Sequence, residues 1–383
     1  LEYYQAKYGT WMYGLNKLYI MMEKQRNRGQ DGAGVASLKI DSKPGQHYIS
    51  RVRSNSASPI EDIFEQIKTP VHALEEKNAE LIHDVPYVKE KIPFAGELFL
   101  GHLRYGTFGR NNIENVHPVM RENNWKTRAL VLAGNFNLTN VDELFAKLIE
   151  LGQHPKDFSD TVTIMEKVGH FIDDEVERLF RIYKNEGYTN YEITHLIANH
   201  IDLRQIMEES CKYWDGGYVI GGFLGHGDAF VMRDPWGIRP AFYYINDEIA
   251  VVASERAAIQ TALNAPVNLI HELKPGNLFL IKRNGEIKID AIRPAQTRKS
   301  CSFERIYFSR GSDQDIYKER KKLGELLTPA VLESINNDLE NTVFSFIPNT
   351  AETAFYGLLQ GIEQHLIEYK QNAIVKANGK LTP

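Results

Sequence analysis

Leu130-Val131-Leu132-Ala133-Gly134-Asn135-Phe136-Asn137-Leu138-Thr139-Asn140 sets an apolar run directly against a cluster of amides. The first four residues read as a buried strand, and the pattern predicts that this strand ends inside the protein where the asparagines begin. Polar groups in such a place need partners or a ligand. An Asn side-chain N–H beside a turn's backbone N–H makes a two-donor pocket, an arrangement suited to the oxyanion formed in acyl transfer. Upstream, Gly101-His102-Leu103-Arg104-Tyr105-Gly106-Thr107 reads as a strand ending on an Arg whose guanidinium could take a ligand carboxylate bidentately.

The chain has 383 residues, so two domains are the expectation. It is 43% hydrophobic and 25% charged, ordinary values for a soluble globular protein. A net charge of −5 argues against electrostatic binding to nucleic acid or to a membrane surface. No stretch approaches the ~18 uninterrupted apolar residues of a membrane helix, and no signal peptide is recognisable. Cys211 and Cys301 are the two cysteines. Two distant thiols fit a reducing compartment and cannot by themselves build a four-thiolate cluster or a zinc site. The chain starts at Leu1 and ends after a Lys-containing tail, and reads as a piece of a longer protein with both ends missing.

Trp11, Leu15, Leu18 and Met22 recur at helical spacing, predicting an amphipathic helix over about 8–26. Arg28-Gly29-Gln30-Asp31-Gly32-Ala33-Gly34 then reads as a tight helix-to-strand turn, the reverse of the order in a nucleotide cradle. Residues 55–95 look like a surface insertion. Strands are expected at 98–104 and 130–133, and helices from Asp160 to Ser210. After Trp214 short apolar runs alternate with turn residues, including the hairpin signal Asn284-Gly285. Ser254 is expected to cap a short helix within this meander. Such runs of helices and strands predict an α+β domain of layered type. Ile306–Phe308 reads as a strand, Asp315–Ile335 as a helix, and Thr342–Pro348 as a buried strand before a helix at 352–369. That last pair would open a parallel-sheet domain.

In order, the glycine-rich turn at 28–34, Gly101–Thr107, Gly134–Asn140 and Ser159-Asp160-Thr161 resemble the N-terminal-nucleophile (class II) glutamine amidotransferases. Arg233-Asp234-Pro235-Trp236-Gly237-Ile238-Arg239-Pro240, Ala253-Ser254-Glu255 and Pro275-Gly276 continue the match. Cys301 to Arg310 resembles the junction between the two domains of the amidophosphoribosyltransferase family. The resemblance implies a four-layer α/β/β/α sandwich over 1–295. A linker and the start of an α/β type I phosphoribosyltransferase domain would follow over 296–383. It implies glutamine hydrolysis, with ammonia passed to phosphoribosyl pyrophosphate to make phosphoribosylamine in purine synthesis. An asparagine-synthetase-like ligase and a catalytically dead regulatory homologue are the competing readings.

Carried over to this numbering, the resemblance makes Arg104 the carboxylate grip of glutamine, with Thr107 as a hydroxyl donor, and Asp160 the ammonium grip. Asn135 would donate its side-chain N–H to the oxyanion and Phe136 its backbone N–H, although the family has Gly at the second position. Arg28 and Tyr105 would support the site from behind. The family nucleophile is an N-terminal Cys, expected here upstream of Leu1. Magnesium is implied for the transferase half, with no ligand for it in this chain, and no iron–sulfur cluster is expected. A cytoplasmic homo-oligomer is implied as well. By themselves His102 and His117 read as ordinary packed or rim residues.

Overall fold

The computed structural model of the chain describes residues 1–106, 112–155 and 157–377. It divides into two compact units, Leu1–Ser300 and Cys301–Pro383. The first begins with helices α1 (Glu2–Tyr8) and α2 (Tyr13–Lys24) and strands β1 (Gly32–Leu38) and β2 (Ile49–Ser54). Helices α3 (Pro59–Lys77) and α4 (Val85–Lys91) lead to strands β3 (Leu98–Arg104), β4 (Val119–Arg121) and β5 (Leu130–Leu138). Four helices follow in succession: α5 (Val141–Glu150), α6 (Asp160–Asn185), α7 (Asn190–His200) and α8 (Leu203–Cys211). The meander then supplies β6 (Gly216–Leu224), β7 (Ala229–Arg233), β8 (Phe242–Ile245) and β9 (Ala250–Ala253). Helix α9 (Arg256–Leu263) and strands β10 (His271–Glu272), β11 (Asn277–Ile281) and β12 (Ile287–Ala291) complete it.

The strands form three antiparallel sheets, ordered β2-β1-β3, β10-β8-β9 and β12-β11-β7-β6-β5-β4. Period-two patterning decides which way each face looks. On β1, Ala36 and Leu38 meet Val131, Phe223 and Ala229 of the six-stranded sheet, with Leu98 and Leu100 of β3 alongside. Ala33 and Val35 face the other way, onto Leu15, Leu18 and Met22 of α2 and Ile60, Ile63 and Ile67 of α3. The β10-β8-β9 sheet packs through Tyr243, Ala250 and Val252 against Val219, Val231 and Phe279 of the large sheet. On that sheet's far face, Leu130, Leu132, Ile220 and Met232 bury Ile164, Val168, Ile172 and Val176 of α6. At roughly 1.5–3 kcal/mol for each buried aliphatic side chain, this α6 stripe holds the outer helical layer in place. The layers are therefore α/β/β/α.

Several expectations need correcting. β5 runs on through Asn135, Phe136 and Asn137 to Leu138, each paired with β6, so these amides lie in a strand and not in a turn after it. Residues 59–77 are no surface insertion, because α3 carries seven buried residues including Ile60, Phe64 and Ile67. Glu255, not Ser254, sits at the N-cap of α9. The helix expected over 8–26 is the shorter α2, with α1 ending before it at Tyr8, and Trp11 lies between the two and joins a separate cluster with Val71, Leu74 and Val88. The turn at 234–239 is shaped from both sides by buried charge. The Asp234 carboxylate accepts the backbone N–H groups of Trp236, Ile238 and Arg239, and the Arg233 guanidinium binds the turn carbonyls of Gly237 and Arg239.

The second unit, as described, is a helical turn at Glu304–Phe308 and two helices, α10 (Gln314–Ser334) and α11 (Glu352–Ala377). Ile306–Phe308 is therefore helical, and Thr342–Pro348 forms no strand: Val343 and Ile347 are 93% and 83% exposed. A run of apolar residues carries strand character only where a sheet accepts it. Helices α10 and α11 touch backbone to backbone at glycines. A Cβ added at Gly324 would lie 1.7 Å from the Ala354 carbonyl oxygen, and one at Gly357 would lie 1.8 Å from that of Lys321.

Candidate functional site

Arg104 closes β3 on the face that Leu98 and Leu100 direct toward the large sheet, because positions two apart share a face. It is 7% exposed, and its Nη1 lies 3.5 Å from the Asn112 carbonyl oxygen. The glycine-rich turn before β1 clamps its backbone. Asp31 N–H donates to the Arg104 carbonyl at 3.0 Å, and the Asp31 carboxylate accepts the Gly106 N–H at 2.7 Å. Gly29 is required there, since a Cβ would come within 2.6 Å of the Arg104 backbone. Arg28 reaches Glu255 at 3.3 Å, an ion pair buried on both sides. Tyr105 is 42% exposed, and Thr107 lies outside the described residues.

The register of β5 decides which way its donors look. Tyr218, opposite Phe136, gives both its N–H and its C=O to Asp234 on the β7 side. Phe136 is therefore in a non-hydrogen-bonded pair, and its own N–H points away from β6. The same parity sends the Gly134 N–H outward, where it donates to His117 Nδ1 at 3.4 Å. β4 covers β5 only from Leu130 to Leu132, so among the described residues no strand lies along this edge at Phe136. The Asn135 side chain projects from the sheet on the face of Val131, toward β1 and β3. A side-chain amide and an outward backbone N–H thus come from adjacent residues of one strand.

Asp160 opens α6, capped by Ser159, whose hydroxyl accepts the Val162 N–H. The Asp160 carboxylate accepts the Thr161 N–H at 2.8 Å. Burial raises its pKa above the ordinary value, opposed by hydrogen bonds from the Thr161 amide and hydroxyl. His117 joins this helix to β5: its Nε2 lies 3.1 Å from Thr161 Oγ1, and its ring stacks on Phe136 with centroids 5.4 Å apart. His102 lies against His117 with ring centroids 4.6 Å apart and donates from Nε2 to the Gly134 carbonyl at 3.1 Å. Burial pushes the His102 imidazole down to about 4 and His117 well below its ordinary value, with the Arg104 charge adding to both.

Around His117 the fold thus gathers Arg104, the Gly134–Phe136 stretch and Asp160, from three separate elements. Arg28 points to Glu255 instead. The two histidines and Asp31 are the site residues that sequence reasoning passed over. A buried His has no periodic signature, so no pattern could have marked them. Cys211 is fully buried, with its thiol pushed up to about 12 by desolvation, and hydrogen-bonds to the Glu208 carbonyl. Among the described residues no group of His, Cys, Asp and Glu could hold a metal ion, and no helix is long and apolar enough to cross a membrane.

No family model matches the chain. Its relatives are amidophosphoribosyltransferases. That of Archaeoglobus fulgidus is 26% identical over 350 residues, covering 89% of this chain and 61% of that protein. That of Bacillus subtilis is 26% identical over 354 residues, covering 90% and 57%. Two solved structures share the fold over 90% of this chain. One is the B. subtilis glutamine phosphoribosylpyrophosphate amidotransferase complexed with ADP and GMP, at TM-score 0.59 and 22% identity, with 61% of that chain covered. The other, described as the allosteric regulatory enzyme of purine biosynthesis, gives TM-score 0.60 at 24% identity, with 60% covered. The chain spans about 45–60% of the length of the relatives it matches.

Proposed function

We propose that this chain carries the glutaminase half, and the beginning of the transferase half, of a glutamine-dependent amidophosphoribosyltransferase. Glutamine would be hydrolysed to glutamate and ammonia. The ammonia would displace pyrophosphate from phosphoribosyl pyrophosphate to give phosphoribosylamine for purine synthesis. The single observation that carries the reading is the convergence around His117 of a guanidinium, an outward pair of N–H donors and a carboxylate.

Each group has one part. Arg104 binds the α-carboxylate of glutamine, its planar fork matching the two oxygens. Thr107 adds a hydroxyl to that grip. Asp160 takes the α-ammonium, and an arriving opposite charge offsets the desolvation of its carboxylate. With both ends held, the side-chain amide reaches the β5 edge, where Asn135 and the Phe136 N–H receive the oxyanion. Arg28, through Glu255, and Tyr105 steady the surrounding turns. The attacking thiol is assigned, by the resemblance to the amidotransferase family, to an N-terminal Cys; Cys211 is sealed in the core with its thiol pushed up to about 12. The transferase half implies magnesium. The described residues offer no donor set that fits it, and no step here passes through it. No iron–sulfur cluster enters the reading, and a cytoplasmic homo-oligomer belongs to it.

The test uses the intact protein and follows pyrophosphate release with either glutamine or ammonium as nitrogen donor. Arg104→Ala should raise the glutamine KM strongly, and Asn135→Ala should lower the glutamine-dependent kcat by roughly 100-fold. Ammonium-dependent turnover should survive both. Glutamine use unchanged in both variants would overturn the assignment.

A further inference from the structure

A series of contacts crosses the site through Thr161, which meets Asp160 by its backbone N–H and His117 by its hydroxyl, and the roles above leave its middle unused. We propose that His117, held as a neutral imidazole, is a positioning residue that couples recognition of the substrate's α-ammonium to the oxyanion donors. The inference rests on the glutaminase reading and adds to it a device for selecting α-amino acids.

The polarity of the run follows from chemistry alone. A backbone N–H can only donate, so the Gly134 N–H at 3.4 Å makes His117 Nδ1 the acceptor. The neutral ring's proton is then on Nε2, which donates to Thr161 Oγ1 at 3.1 Å. Thr161 in turn meets the Asp160 carboxylate through its own backbone N–H at 2.8 Å, so one residue joins the two groups. From the other side, His102 donates to the carbonyl of the same Gly134. Asp160, Thr161, His117 and Gly134 are therefore linked in series, ending two residues before the Phe136 N–H.

A packing histidine would need only to fill space. Here both ring nitrogens are committed, to a strand and to a different helix, and the ring face stacks on Phe136. The backbone of His117 is fixed as well: β1 presents Gly34 to it, and a Cβ there would lie 2.2 Å from the His117 carbonyl oxygen. With these anchors, a change in what Asp160 holds is transmitted through Thr161 and the ring to the strand edge. An α-ammonium on Asp160 steadies the first turn of α6 at Thr161, the Thr161 hydroxyl orders the imidazole, and the imidazole sets the tilt of the peptide preceding the donors. A substrate without the ammonium leaves the relay loose, and the oxyanion is held less well.

The experiment compares glutamine with the monoamide of glutaric acid, which is glutamine without its α-amino group, as substrates of the intact enzyme. Thr161→Val keeps the side-chain shape and removes the hydroxyl. His117→Leu cuts the relay at the ring. Each should lower the glutamine kcat about tenfold, as loss of one buried hydrogen bond in a network would. Each should also shrink the wild-type kcat preference for glutamine over the des-amino compound. Thr161→Ser and His117→Gln, which retain an acceptor and a donor, should restore much of that preference. A merely structural role would lower turnover of both substrates in proportion. Should His117→Leu fail to fold, Thr161→Val decides. If Thr161→Val keeps the full wild-type preference while Arg104→Ala and Asn135→Ala behave as expected, the relay is wrong and the glutaminase reading stands. If those two variants also leave glutamine use untouched, the reading itself has failed.

Discussion

Replacing Asp160 with Asn should weaken glutamine binding and stabilise the empty protein, two effects of opposite sign from one atom. The Asp160 carboxylate is partly buried at the start of α6, where it accepts the Thr161 N–H. Burial is the dominant influence and raises its pKa above the ordinary 3.8. A carboxyl raised on folding contributes stability that is complete below its unfolded pKa and lost as pH rises through the folded value. At neutral pH the empty site is therefore a cost to the fold, and Asn removes the charge while keeping an acceptor for the Thr161 N–H. Glutamine has the reverse dependence. Its ammonium needs the ionised carboxylate, so affinity is full above the raised pKa and falls as pH drops through it. A hydrogen bond to a charged partner contributes about 1.5–3 kcal/mol, which corresponds to roughly 10- to 150-fold in Kd. Calorimetric titration with L-glutamine at neutral and mildly acid pH, beside thermal unfolding without ligand, reads both effects. The variant should bind weakly with no acid-side loss, and its Tm without ligand should rise at neutral pH. Unchanged glutamine affinity in Asp160→Asn would refute the assignment, and a lowered Tm would refute the account of its burial.

Two further predictions concern the rest of the chain. Gly324→Ala should drive α10 and α11 apart, because the new Cβ would lie 1.7 Å from a backbone oxygen that no rotamer change can move. A loss of about 1–3 kcal/mol or more should appear in denaturant unfolding monitored by helical circular dichroism. Cys211, buried and with its thiol pushed up to about 12, should resist alkylation in the native protein and react once denaturant is added. Rapid native labelling at Cys211 would contradict its place in the α8 core.

Local chemistry made much of this chain legible. The strand ending on Arg104, the hairpin at Asn284-Gly285, the helices after Asp160 and the meander after Trp214 follow from period-two and period-3.6 patterning with turn residues between. The layered α+β class follows from their order. Long-range pairing decided the rest. Asn135 to Asn137 read as a turn because amides favour turns, yet β6 has backbone groups to pair with and extends β5 through them. Thr342–Pro348 has the residues of a strand, but no strand among the described residues pairs with it. Segment 59–77 reads as surface because its charged face is conspicuous in one dimension, while its apolar face meets β1 only in three.

The sequence by itself determined which side chains can grip a zwitterion and which strands can carry them, since charge and periodicity are properties of the chain. Only the tertiary structure decided that the Phe136 N–H faces outward, that Asp160 is partly desolvated, and that His117 stands between them. Hydrogen-bond parity across a sheet, desolvation and the meeting of distant elements depend on what lies opposite each residue.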